Sequence, residues 1–314
     1  MIRLATFLAV SLSSCLPTFV LPSTFSSSQH TCKPQHTCRF PFALCPLPSA
    51  LTGSPRQTPP PVAEVYAVQF ASIRYSVGQL VAGGDRERPI DIAMMVWPVK
   101  LAGGRVLVVD AGFYREKFLQ QWKPLTYTRP TDAVSAGLGI APESVTDVVV
   151  SHVHWDHADG ADLFPRARIW IQREEFEHYI GEGGAVLDRA IDRDVAAMLF
   201  QLKAAGRVEL IDGDDREIAP GIRVYTGGKH TFASQYVSVQ TRSGPVILAS
   251  DNAYLYENLE KHLAIAQTLD AQSNLAAQSR MITLAGALTR VVPGHDPGVF
   301  LRFPLTKPGV ARVD

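Results

Sequence analysis

The chain has 314 residues, 46% of them hydrophobic, which suits one large folded domain or two small ones and argues against disorder over most of its length. Its 30 Lys and Arg residues balance its 30 Asp and Glu residues, so composition offers no electrostatic case for a nucleic-acid partner.

The balance is uneven along the chain. Residues 1–62 contain four basic side chains (Arg3, Lys33, Arg39 and Arg56) and no acidic one, leaving 63–314 with a formal charge of −4. The same stretch holds all four cysteines (Cys15, Cys32, Cys38 and Cys45) and 10 of the 22 prolines. It has no helical or strand period, so it is expected to lie outside the folded body. We therefore divide the chain near Pro61, into a leader and Pro/Ser/Cys-rich linker (1–62) and a folded domain (63–314).

Arg3, the apolar run Leu4–Leu12 and the small residues after it follow the pattern of an export signal, and the run is too short to span a bilayer as a helix. Leu12-Ser13-Ser14-Cys15 resembles a lipoprotein processing box, in which Cys15 would carry a lipid anchor. That anchor is the one membrane link the sequence offers. Export and a start codon assigned too far upstream, with a cytoplasmic protein, both stay open. His30-Thr-Cys32 and His36-Thr-Cys38 have no strand or helix to hold them, and no metal site is expected there.

Beyond the linker, β-branched and aromatic residues read as strands at Val65–Phe70 and Ile73–Tyr75. Met95–Lys100 and Arg105–Val109 flank Gly103-Gly104, which suits a hairpin turn needing positive φ. Asp147–Val150 and Arg168–Ile171 are short buried strands. Helical stretches are expected over Glu174–Ile180 and from about Ala185 to Ala205. A second series of strands begins with Arg207–Ile211 and continues with Ile222–Thr226, Tyr236–Gln240 and Pro245–Ala249. Helical patterns then cover Leu255–Leu269 and Ser273–Leu284, before a last strand at Arg290–Pro293. Runs of strands with helices after each run predict two sheets packed face to face with helices outside, an α+β fold.

The chemistry is concentrated in Ser151-His152-Val153-His154-Trp155-Asp156-His157, directly after a strand. Three histidines and a carboxylate so close together are costly as core, because buried imidazoles need partners and cationic ones repel. A bound metal resolves both problems, since neutral imidazole is a preferred zinc ligand. In a loop, His152 and His154 can turn to one metal while Asp156 and His157 turn to another. Completing two shells requires further ligands. His230 in Gly227-Gly228-Lys229-His230, Asp251 after Pro245–Ala249, and His295 in Pro293-Gly294-His295 all stand at strand ends, where functional residues are displayed. His178 and His262 fall inside charge-rich helical stretches and read as solvated helix faces.

His152-x-His154-x-Asp156-His157 followed by His230, Asp251 and His295 resembles the full ligand set of the metallo-β-lactamase superfamily, over about residues 63–314. The resemblance implies a four-layer αββα sandwich with two divalent metal ions, zinc by expectation, at one edge. His152, His154 and His230 would hold one ion and Asp156, His157 and His295 the other, with Asp251 bridging them. Asp110 matches the aspartate that orients a ligand from behind.

Asp251-Asn252-Ala253-Tyr254, the 44-residue step from Asp251 to His295 and the aromatic Trp155 resemble the N-acyl-homoserine lactonase branch. There a tyrosine three residues after the bridging aspartate reaches the substrate carbonyl. The branch implies that a metal-bridging hydroxide opens the lactone ring, that Tyr254 stabilises the oxyanion, and that Asp156 shuttles the proton. Its substrate would be a small-molecule lactone, with an acyl chain lying against some of Phe113, Tyr114, Trp122, Leu125, Tyr127, Trp155 and Phe232. Two departures from the branch stand out. His230-Thr231-Phe232-Ala233-Ser234-Gln235 lacks the Pro-Gly turn that many lactonases carry, and Ala158-Asp159-Gly160 replaces the commoner Ala-Gly-Gly. Other hydrolases of the same fold, acting on a thioester, β-lactam or phosphodiester, stay open. So does a mononuclear iron oxygenase of the persulfide dioxygenase type, which would leave Asp156 and His295 without a metal.

Overall fold

A computed structural model describes residues 62–314. The readings of Cys15 and of the His30–Cys38 segment lie outside the described residues.

Two sheets stack face to face. The first contains β1 (Glu64–Ser76), β2 (Pro89–Lys100), β3 (Val106–Val109), β4 (Thr126–Tyr127), β5 (Val145–Val149), β6 (Arg168–Gln172) and β7 (Val208–Ile211). The second contains β8 (Arg216–Ala219), β9 (Ile222–Thr226), β10 (Gln235–Thr241), β11 (Gly244–Ser250) and β12 (Val291–Pro293). The chain then returns to the first sheet through β13 (Leu305–Lys307) and β14 (Val310–Arg312), which pairs with β1. Eight helices complete the described fold: α1 (Glu116–Trp122), α2 (Pro130–Leu138), α3 (Trp155–Ala158), α4 (Arg173–Tyr179), α5 (Arg193–Ala204), α6 (Tyr256–Lys261), α7 (Ala271–Ala285) and α8 (Val299–Arg302).

Side-chain alternation builds the layers. On β2, Ala93, Met95, Trp97 and Val99 face the second sheet, while Ile92, Met94 and Val96 face the helices. On β3, Leu107 and Val109 take the first role, Val106 and Val108 the second. Phe118, Val134, Phe176 and Leu199, from α1, α2, α4 and α5, cover the outer face of the first sheet. Leu259 of α6, Met281 of α7 and Val299 of α8 pack with the residues of the second. The arrangement is the expected α+β sandwich.

The structure corrects four readings. Arg207–Ile211 does not open the second sheet, because β7 pairs in parallel with β6 at the edge of the first. The helix expected from Ala185 starts only at Arg193, where the Asp192 side chain accepts hydrogen bonds from the amides of Asp194 and Val195. The helix expected over Leu255–Leu269 ends at Lys261, since His262 turns left-handed at φ 49° and caps it. The freed segment is irregular, with Ile265 alone bridging to Val81. His262 is therefore a capping residue and not part of a helix face. Both glycines of the predicted hairpin turn, Gly103 and Gly104, do have φ of 81°.

Candidate metal centre

All seven predicted ligands meet at one edge of the sandwich, beyond the ends of β5, β9, β11 and β12. β5 runs into the loop bearing His152 and His154, and α3 supplies Asp156 and His157. The loop after β9 brings His230. Gly227 lets that loop pass close to Asn252, whose Oδ1 would lie 2.3 Å from a Cβ at this position. Asp251 and His295 each follow directly on their strands, and the backbone of His295 donates to the Tyr254 carbonyl at 3.0 Å.

The ligand atoms form two groups. His152, His154, His230 and Asp251 make one, and Asp156, His157 and His295 the other. His152 Nε2 and His230 Nε2 lie 3.0 and 2.9 Å from the same atom, His154 Nδ1. Asp251 stands between the groups. Its Oδ2 is 3.2 Å from His230 Nε2 and its Oδ1 is 3.0 Å from His295 Nε2 and 3.2 Å from His157 Nε2. Asp156 Oδ2 is 3.3 Å from His157 Nε2 and 3.6 Å from His295 Nε2.

In four of the five imidazoles the other ring nitrogen is tied down from behind. His230 Nδ1 donates to the Gln267 carbonyl at 2.7 Å, His295 Nδ1 to the Ala93 carbonyl at 3.1 Å, and His157 Nδ1 to Asp110 Oδ2 at 2.8 Å. His152 Nδ1 pairs with the Ser151 hydroxyl at 2.9 Å. A neutral imidazole that donates through Nδ1 presents a bare lone pair at Nε2, so these bonds aim lone pairs into a shared space. Asp110 holds this geometry in a left-handed backbone conformation, φ 56°, where its Oδ1 also accepts the Ser151 amide at 2.8 Å.

Electrostatics divides the groups. Burial, then the charges of neighbouring imidazoles, holds His152 well below the usual histidine range and pushes His154 down to about 3. Burial also opposes charge on His157, but Asp251, Asp156 and Asp110 outweigh it and raise that histidine. Asp251 is held well below the ordinary carboxylate range, His157 and His295 overcoming the cost of its burial. Burial, followed by the charges of Asp251 and Asp156, raises the Tyr254 hydroxyl well above 10, so it keeps its proton.

Two observations test whether a cation suits this place. His157 Nε2 and Asp251 Oδ1 are buried without hydrogen-bond partners, although buried polar atoms rarely go unpaired. The donor set is five imidazoles and two carboxylates, a nitrogen-rich mixture that favours zinc-like divalent ions. The residues fit the metals the sequence implies.

A cavity of about 330 Å³ opens over the centre, lined by His154, Asp156, Asp251, His295 and Tyr254. Of the aromatics proposed for an acyl groove, Trp122 and Trp155 line it, stacked in parallel at 5.0 Å. The same pair borders a second cavity of about 710 Å³ beside α5. The other candidates do not line the cavity over the centre. Phe113 is fully buried behind Trp155, and the hydroxyl of Tyr127 donates to its carbonyl at 3.2 Å. Tyr114 donates to Asp162 at 2.9 Å, Leu125 faces solvent, and Phe232 stacks on His178 at 3.9 Å. That stack leaves His178 half-buried on its helix, apart from both ligand groups. Tyr75, Ile92, Met94 and Gln267 form cavity walls that sequence reasoning missed.

The profile described as the metallo-beta-lactamase superfamily matches residues 93–295. The chain belongs to the metallo-β-lactamase superfamily. The N-acyl homoserine lactonase AttM of Azorhizobium caulinodans is 25% identical over 256 residues, covering 76% of this chain and 95% of that one. An N-acyl homoserine lactonase of Bacillus sp is 29% identical over 164 residues, 52% of this chain, and the match spans only 57% of that relative's length. Among solved structures, a quorum-quenching N-acyl homoserine lactone lactonase superposes with a TM-score of 0.65 at 19% identity, covering 78% of this chain and 97% of that one. AidC, described as a dizinc quorum-quenching lactonase, gives 0.58 at 14%, with 82% and 95% covered. As a member of this superfamily, the chain is a metal-dependent hydrolase with a His/Asp metal-binding cluster.

Proposed function

We propose that the protein is a dinuclear hydrolase that opens the lactone ring of N-acyl-homoserine lactones. The observation that carries the reading is the position of Asp251 between two groups of convergent ligands, with the Tyr254 ring 5.6 Å from that of His230 and 5.9 Å from that of His295. AttM-type relatives along most of the chain support the substrate class. In this reading His152, His154 and His230 hold one divalent ion, Asp156, His157 and His295 the other, and Asp251 bridges. Two such ions, zinc by the donor chemistry, would supply Lewis acidity toward a carbonyl and a nucleophilic water near neutral pH.

The chain's own groups do the rest. Tyr254 is 4% exposed and lines the cavity, and in this reading its hydroxyl, 3.4 Å from His230 Nδ1, donates to the oxygen that gains charge as the ring carbonyl is attacked. Asp156, half-buried where it lines the cavity, takes the proton released by the attacking water and gives it to the ring oxygen as the acyl C–O bond breaks. Asp110 keeps His157 in one tautomer and orientation. Trp122 and Trp155 offer the apolar surface an acyl chain needs. We also propose that 63–314 is the hydrolase domain and 1–62 a leader and linker.

The test is a panel of lactones, thioesters and β-lactams, with metal content measured on the same preparation. Two transition-metal ions per chain and preferred turnover of homoserine lactones are expected. One tightly held iron, with oxygen consumed, would overturn the reading.

A further inference from the structure

Glu175, on α4, is fully buried and makes its hydrogen bonds to no candidate ligand side chain, yet it joins the two loops that carry three of them. Its Oε1 accepts the amide of Val153 at 3.1 Å and the hydroxyl of Thr231 at 2.6 Å. Its Oε2 accepts the amide of Ala233 at 2.7 Å. Val153 lies between His152 and His154, and Thr231 follows His230. Two residues of the second loop are thus held by this one carboxylate, and the amide of Phe232 between them donates to Tyr179 of the same helix at 3.0 Å. No corresponding bond reaches the segments of Asp156, His157 or His295.

A carboxylate is the side chain that offers two acceptor oxygens and no donor, as three converging donors require. Burying that charge against neutral partners alone is expensive, and a cation held behind the same loops would offset the cost. The second loop also has an external need. Thr231–Gln235 contains no proline or glycine to stiffen it, so its shape has to be imposed by what it packs on.

We propose that Glu175 is a positioning residue for one metal only, the ion assigned to His152, His154 and His230. The inference rests on the dinuclear reading of the centre. It predicts that loosening the clamp separates the two ions in affinity.

The experiment titrates the full-length holoenzyme with chelators of graded strength, counting ions per chain, and melts the metal-stripped proteins in parallel. In Glu175→Gln an amide donor replaces one acceptor and opposes a donating group. One ion should become roughly tenfold to hundredfold easier to remove, as when a metal ligand loses its supporting partner. The second ion should keep its wild-type affinity, whatever fall the opposed donors cause in the metal-free melting temperature. Thr231→Val removes one of the three bonds at constant shape and should act in the same direction more weakly. It keeps the test decisive if Glu175→Gln does not fold.

Wild-type chelator resistance in both variants would overturn the proposal. So would equal weakening of both ions together with a lower metal-free melting temperature, which is what general loosening produces. A wild-type protein without two ions would instead overturn the dinuclear reading, and this inference with it.

Discussion

The floor of the cavity and its walls are encoded in different ways. The floor is the cluster of seven candidate ligands, of which His154, Asp156, Asp251 and His295 line the cavity; four members fall within six residues and the other three lie near strand ends. The walls are assembled from Tyr75 at the end of β1, Ile92 and Met94 of β2, Trp122 of α1 and Gln267 in the loop before α7. Metal ligation selects residue types that are costly elsewhere, so the floor announces itself without knowledge of the fold. The wall residues are ordinary core-forming types, and only strand register and loop direction make them neighbours. Substitutions in the floor should therefore remove chemistry, whereas substitutions in the walls should redistribute substrate preference.

The largest expected effect is at the bridge. Asp251→Asn keeps the shape of a side chain whose two oxygens face different ligand groups, but it turns one of them into a donor. The variant should hold fewer than two ions and lose more activity than the ~10²–10³ in kcat that removal of a single oxyanion donor costs. Elemental analysis beside steady-state kinetics checks both. Full occupancy with near-normal turnover would remove Asp251 from the bridge.

Tyr254 lies where floor meets wall, and its substitution should be intermediate. Tyr254→Phe keeps the ring that packs between His230 and His295 and deletes one hydroxyl. Because the metals share the work, a loss of about tenfold to a hundredfold in kcat on a homoserine lactone is expected, with metal content unchanged. Unchanged lactone kinetics would leave the metal centre intact and remove the main chemical reason for this substrate.

The same division explains how much could be read in the chain. The sandwich was legible because strands come in runs with helices after each run, and the candidate ligand cluster because its members sit in turn-rich strand ends. Tyr75 was not, for a definite reason. A bulge between Gln69 and Ala71 shifts the phase of β1, so that Tyr66, Val68 and Phe70 share a face with Ala71 and Ile73. Beyond the bulge the odd-numbered residues face the helix side, which carries Tyr75 to the cavity and leaves Arg74 exposed. Gln267 was hidden by a helical pattern that His262 ends early, and the carbonyl it offers His230 is invisible to side-chain motifs. Glu175 reads as one acidic residue among several on a helix, since its partners are two amides and a hydroxyl from distant loops.

Trp122 should give the smallest effect, confined to one part of the substrate. Its ring stacks on Trp155 at 5.0 Å with 6° between the planes, and the Tyr75 ring lies 6.3 Å from it. It borders both the 330 Å³ cavity over the centre and the 710 Å³ cavity next to it. It touches no ligand, so Trp122→Ala should leave metal content and kcat within about twofold of wild type. If an acyl chain leaves the centre along this ring, the lost contact scales with chain length, since each buried methylene contributes about 0.8 kcal/mol. A butanoyl lactone ends before most of that surface and should bind nearly as before, while a decanoyl lactone should show KM raised several-fold to about tenfold. Measuring kcat and KM separately for the two chain lengths isolates the wall from the floor. Equal changes for both substrates would mean that the chain takes another route. A drop in kcat on both would mean that Trp122 supports the ligand loop through Trp155, and the boundary between floor and wall would then run one residue deeper.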